Sequence, residues 1–95
     1  LRATQIDPTN HSYLDSLGWG YYKLGRFDLA EQYLKEAKRI NSGSAAVHEH
    51  LGDLYLKQGN NEMARSYWQR ALQLSTDTDR STRIRAKIAQ RNSDQ

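Results

Sequence analysis

Leu17–Gly25 reads LGWGYYKLG, and Leu51–Gly59 reads LGDLYLKQG. The two stretches lie 34 residues apart and match at Leu17 and Leu51, Gly18 and Gly52, Tyr21 and Tyr55, Lys23 and Lys57, and Gly25 and Gly59. The same step carries Ala30 to Ala64, Tyr33 to Tyr67, Ala37 to Ala71 and Ile40 to Leu74. Apolar partners follow at Leu29 with Met63 and Leu34 with Trp68. Self-similarity at a fixed period of this size marks a repeat architecture, in which one unit alone cannot bury its apolar face.

Each period reads as two helices. SYLDSLGWGYYKL and AVHEHLGDLYLKQ carry apolar or small residues at helical spacing, and Gly25 or Gly59 then ends each. FDLAEQYLKEAKRI and NEMARSYWQRALQL follow, with alanines seven residues apart that let a neighbouring helix come close. No run alternates polar and apolar residues at period two, so strands are not expected. The fold class is therefore all-α, built of antiparallel helix-turn-helix repeats. The first repeat spans 10–43, with Asn10 at its start, and the second spans 44–77.

The register runs outward in both directions. Ala3 and Ile6 fall one period before Ala37 and Ile40, which makes residues 1–9 the tail of a preceding second helix. Ile84, Ala86, Ile88 and Ala89 fall one period after His50, Gly52, Leu54 and Tyr55. Residues 78–95 therefore hold a last helix, from about Thr78 to Arg91, and a frayed tail. Asp77 or Asp79 is its N-cap. Its polarity suits a terminal cap, which must cover the last core face and stay soluble.

Composition bounds the function. The chain has 95 residues, is 37% hydrophobic, carries a net charge of +3 and contains no cysteine. Disulfides and thiolate metal sites are excluded, and the redox compartment is left open. No apolar run reaches membrane-spanning length, and no signal-peptide pattern is present. The chain begins at Leu1 rather than Met, as a piece of a longer array would. His48 and His50 are two apart on a helix, so their side chains diverge, and a shared metal is not expected. Asn10-His11-Ser12 matches a glycosylation acceptor, but a helix start accounts for Asn10 more simply. No nucleophile–base pair, metal set or phosphate loop appears, so the expectation is a non-enzyme with no cofactor.

The two stretches LGWGYYKLGRFDLAEQYLKEA and LGDLYLKQGNNEMARSYWQRAL resemble tetratricopeptide repeats. The family's pattern falls on Leu14, Leu17-Gly18, Tyr21, Gly25, Phe27, Ala30, Leu34, Ala37 and Ser42. It falls again on His48, Leu51-Gly52, Tyr55, Gly59, Asn61, Ala64, Trp68, Ala71 and Thr76. The resemblance covers nearly the whole chain. Of the closing prolines only Pro8 is kept, and His48 and Asn61 replace large apolar residues, so the second repeat is expected to pack less well. The chain is also similar to the C-terminal repeats of long bacterial repeat proteins. Some of those lie in the cell envelope, so the compartment stays open between cytoplasm and envelope.

The resemblance implies a scaffold that binds a protein partner, as a peptide or helix, in a concave groove lined by the first helix of each repeat. Carried onto this chain, the groove positions are Asp15, Trp19, Tyr22 and Lys23, with Ser12 beside them, then Glu49, Asp53, Leu56 and Lys57. The last helix adds Arg80, Arg83 and Lys87, with Arg91 beyond. Tyr22 and Leu56 have a second reading as inter-repeat packing. The basic residues have one as a solvated face, and Glu49 and Asp53 have one as their partners, which would neutralise the groove from within. Trp19 is either an aromatic anchor for ligand or packs on an upstream repeat. Trp68 sits at the family's core aromatic position. Trp19 and Asp53 stand where chaperone-tail-binding members carry asparagine, so a carboxylate-clamp specificity is not supported. Binding of nucleic acid or an anionic surface through the basic last helix is the alternative, disfavoured by the nearby acids. A structural role, with self-association through the N-terminal face, is a third.

Gly20 breaks the register. Its counterparts are Leu54 and Ile88, and a mid-helix glycine lowers helix stability by up to about 1 kcal/mol relative to alanine. It is expected to leave unfilled space beside Trp19.

Overall fold

The computed structural model describes residues 10–93, with side chains through Gln90. The expected helical tail over residues 1–9 lies outside the described residues, as does Arg91 as a side chain. Five helices follow in order: α1 (His11–Lys23), α2 (Phe27–Ile40), α3 (Ala45–Lys57), α4 (Asn61–Leu74) and α5 (Thr78–Ser93). There is no strand among the described residues. The chain divides between Ser42 and Gly43 into two compact units, one holding α1 and α2, the other α3, α4 and α5.

The first unit is a helical hairpin. Asn10 caps α1, its Oδ1 accepting from the amides of Ser12 at 2.9 Å and Tyr13 at 3.2 Å. Gly25, at φ +79°, turns the chain out of α1. The Arg26 amide donates to the Tyr21 carbonyl at 2.9 Å and the Gly25 amide to that of Tyr22 at 3.0 Å, a Schellman closure. The helices then meet closely. A Cβ at Gly18 would lie 2.8 Å from Leu34 Cγ and 3.2 Å from the Ala30 carbonyl oxygen, so the site admits glycine alone. Leu14, Ala30, Leu34 and Ala37 fill the seam, and Tyr21 stacks on Tyr33 at 5.7 Å. Asn41 Nδ2 lies 3.1 Å from His11 Nε2, tying the open end of the hairpin.

The second unit repeats this plan down to its ring contacts. Ser44 caps α3 through Val47, Gly59 leaves it at φ +82°, and Asn60 caps α4 through the Met63 amide at 3.1 Å. Tyr55 stacks on Tyr67 at 5.5 Å, the counterpart of Tyr21 on Tyr33. Gly52 takes the role of Gly18, and a Cβ there would fall inside the Trp68 indole. Trp68, Leu51, Leu54 and Val47 are fully buried. Looser packing was expected at His48, yet it is only 5% exposed. Its Nδ1 donates to the Ser44 carbonyl at 2.8 Å and its ring tilts against Tyr67, so the imidazole is accommodated by a hydrogen bond and a ring contact. Asn61 is exposed where its counterpart Phe27 is half-buried, so apolar packing is lost there.

Helix α5 packs on α4. Of the two candidate caps it is Asp77 that acts, its Oδ1 accepting from the amides of Asp79 at 2.9 Å and Arg80 at 3.3 Å. The helix continues two residues past the expected Arg91, to Ser93. Ile84 is its one fully buried large apolar side chain among the described residues, which supplies roughly 1.5–3 kcal/mol of hydrophobic stabilisation. Half-buried Ile88, a bond from the Ser81 hydroxyl to that of Ser75 at 3.0 Å, and ion pairs to α3 add to its attachment.

Candidate functional site

Five of the expected site residues meet in the second unit. Glu49 sits mid-α3, its side chain 3% exposed, among three cations of α5. The spacing 80, 83, 87 puts these on one side of that helix. Arg83 forks onto the carboxylate, Nε to Oε2 at 2.7 Å and Nη2 to Oε1 at 2.9 Å. Arg80 Nη1 donates to Oε1 at 2.9 Å, and Lys87 Nζ to Oε2 at 2.9 Å. Lys87 also reaches Asp53, one turn further along α3, at 2.9 and 3.0 Å. Asp53 Oδ1 in turn accepts from the Trp68 indole at 3.0 Å, and the Lys87 ammonium lies 5.9 Å from that ring.

The electrostatics follow from this geometry. Burial alone would raise the Glu49 pKa, but hydrogen bonds and charge from Arg83 and Lys87 overcome it and hold the carboxyl at about 2. The bond to Glu49 raises Arg83 above its ordinary value. Three cations meet two carboxylates, so one positive charge is left over. Of the two readings open for this face, the structure has the acids and bases holding one another. Trp68 is the member that the sequence pattern missed: it was assigned to the core, where its rings are, but its N–H also orients Asp53.

The expected residues of the first unit form a different surface. Trp19 stacks on Tyr22 at 4.4 Å and 8°, as an i, i+3 pair can, and Tyr22 tilts against Phe27 at 5.9 Å. Both rings are half-buried, Asp15 is half-buried one turn before Trp19, and Lys23 is exposed at the end of α1. In the second unit Leu56 is half-buried and Lys57 exposed. The gap left by Gly20 does not lie beside Trp19 as expected. It opens onto Ser16, Leu17, Tyr21 and Leu24, which share a face of α1 with Gly20 that Trp19 does not. No helix among the described residues is long and apolar enough to cross a membrane.

Paired antiparallel helices of 13 and 14 residues, each hairpin closed by a glycine at positive φ and a small residue at the crossing, define a helical-hairpin repeat protein. The chain belongs to the tetratricopeptide repeat family, whose model matches residues 11–44 and 45–77. Relatives include tetratricopeptide repeat protein 7B of mouse and of human, each 33% identical over 76 residues. These 76 residues are 80% of this chain and 9% of each relative, so the chain spans about a tenth of their length. Repeats of this family mediate protein–protein interaction as non-enzymatic scaffolds.

Proposed function

We propose that the chain binds a peptide segment or short helix of another protein on the first-helix surfaces of its repeats, with the Trp19–Tyr22 pair as apolar anchor. The observation that carries this is a large stacked aromatic pair, partly open to solvent, on a helix whose core contacts are supplied by Leu14 and Gly18. Rigid aromatics bring much contact area at low entropic cost, which is why they dominate binding hot spots. Lys23 and Lys57 add charge-assisted bonds at the helix ends, Leu56 adds apolar contact, and Asp15 flanks the rings. Glu49, Asp53, Arg80, Arg83 and Lys87 support the surface by holding α5 rather than by clamping ligand. This favours protein binding over an anionic surface or nucleic acid, because the three cations that reading needs already face carboxylates. No catalytic role enters this reading.

The test uses peptides selected on the intact chain from a random library, with affinities by calorimetry. Trp19→Ala is expected to weaken them at least about tenfold while helicity is unchanged. Equal affinity for wild type and variant would sink the anchor. Affinity that falls steeply with salt and depends on Arg83 and Lys87 would favour the anionic reading.

A further inference from the structure

Helix α4 carries a charge that no carboxylate answers. Nε and Nη2 of Arg65 are closed to solvent and have no hydrogen-bond partner among the described residues. These two nitrogens form one edge of the guanidinium, the same edge with which Arg83 forks onto Glu49. A buried lysine or carboxyl relieves such a state by shedding its charge, which a guanidinium does not do. Helix geometry places the group. Tyr67 stacks on Tyr55 of α3, and Trp68 stands between α3 and α5, its N–H on Asp53 and its ring 5.9 Å from the Lys87 ammonium. Arg65 lies about 60° round α4 from Trp68, on the flank away from Tyr67, so it faces α5. The two helices are joined by a short turn and run antiparallel, so the turns of α5 after Lys87 pass Arg65. From Arg80 to Ser93 that helix has five cations and no acid.

The two halves of α5 are held differently. Arg80, Arg83 and Lys87 bind Glu49 and Asp53, and Ile84 among them is fully buried. Past Lys87, Ile88 is half-buried, while Ala89 and Gln90 are exposed. We propose that α5 from Ile88 onward is a flap that unwinds off α4 beyond the clamp at Lys87, and that Arg65 is the group that drives it open. Closed, the flap covers Ile88 and strands the guanidinium. Open, water reaches Nε and Nη2, and Glu62, exposed on α4 three residues before Arg65, becomes a carboxylate within its reach. Partial burial of one isoleucine opposes two charged donors left unsatisfied, and these quantities are of similar size. That balance is what a two-state element requires. The ion pairs of the first half keep α5 on α3 throughout, so the flap works without release of the whole helix.

Amide hydrogen exchange of the full chain, read residue by residue by NMR, tests the flap. Arg65→Met keeps the length of the side chain and removes its charge. It is expected to slow exchange at Ile88, Ala89 and Gln90 at least about tenfold while the amides of α1 are unchanged. Arg65→Ala, which also removes the stem, is expected to slow the same amides by a smaller factor. Ordinary fraying of a helix end does not respond to residue 65, so exchange that Arg65→Met leaves unchanged overturns the proposal. So does faster exchange in Arg65→Ala, which would make the Arg65 stem a packing surface that holds α5 down.

Discussion

Helices α1 and α3 occupy the same place in their repeats and have been put to opposite uses. Helix α1 carries aromatic and aliphatic side chains in partly open positions, and its one expected acid, Asp15, stands beside a ring pair. Helix α3 carries Glu49 and Asp53 at the corresponding turns, and both are consumed by α5. The glycines divide in the same way. Gly18 and Gly52 are required by the fold, each facing a large side chain of the paired helix, whereas Gly20 faces open space. A shared backbone plan therefore carries partly open rings in one repeat and mutually paired charges in the other.

The sharpest way to break this comparison is at the two glycines. Gly52→Ala pushes a methyl into a rigid, fully buried indole, and a loss of about 3 kcal/mol in urea-unfolding free energy is expected. Next comes Glu49→Gln, which leaves Arg80, Arg83 and Lys87 without their shared carboxylate. Because the Arg83 side chain is half exposed, the loss is expected at about 2 kcal/mol, with hydrogen exchange accelerated first in α5. The same residue sets an acid limit. Its pKa is depressed from 4.5 unfolded to about 2 folded, so its contribution is whole above about pH 5 and is lost as pH falls toward 2. Acid titration of stability should flatten across that window in Glu49→Gln, and an unchanged slope would remove Glu49 from the account. The smallest effect is of opposite sign. Gly20→Ala meets no atom and should stabilise the chain by up to about 1 kcal/mol in thermal unfolding.

Much of this was legible in the residues. The 34-residue register located all five helices, because the same crossing glycines, capping glycines and seam alanines must recur wherever the same hairpin is rebuilt. It also brought Arg80, Arg83 and Lys87 to one side of a helix and named Glu49 and Asp53 as their possible partners. It did not show which of two uses those charges had. That choice depends on Glu49 being buried, and charge in a sequence pattern points to the surface. The opening beside Gly20 was foreseen but assigned to the wrong flank, although the spacing of Leu17, Gly20, Tyr21 and Leu24 already puts it on a face of α1 that Trp19 does not share. His48 was read as a defect in packing. Only the carbonyl of Ser44, four residues back, turns it into a satisfied interior group.

The bond from Trp68 to Asp53 gives the molecule an optical consequence. The indole N–H is held by a carboxylate that also grips Lys87, so the charges around this fluorophore change when α5 leaves α3. In a chain carrying Trp19→Phe, Trp68 becomes the sole source of tryptophan emission, and its wavelength reports the seating of the last helix without any added dye.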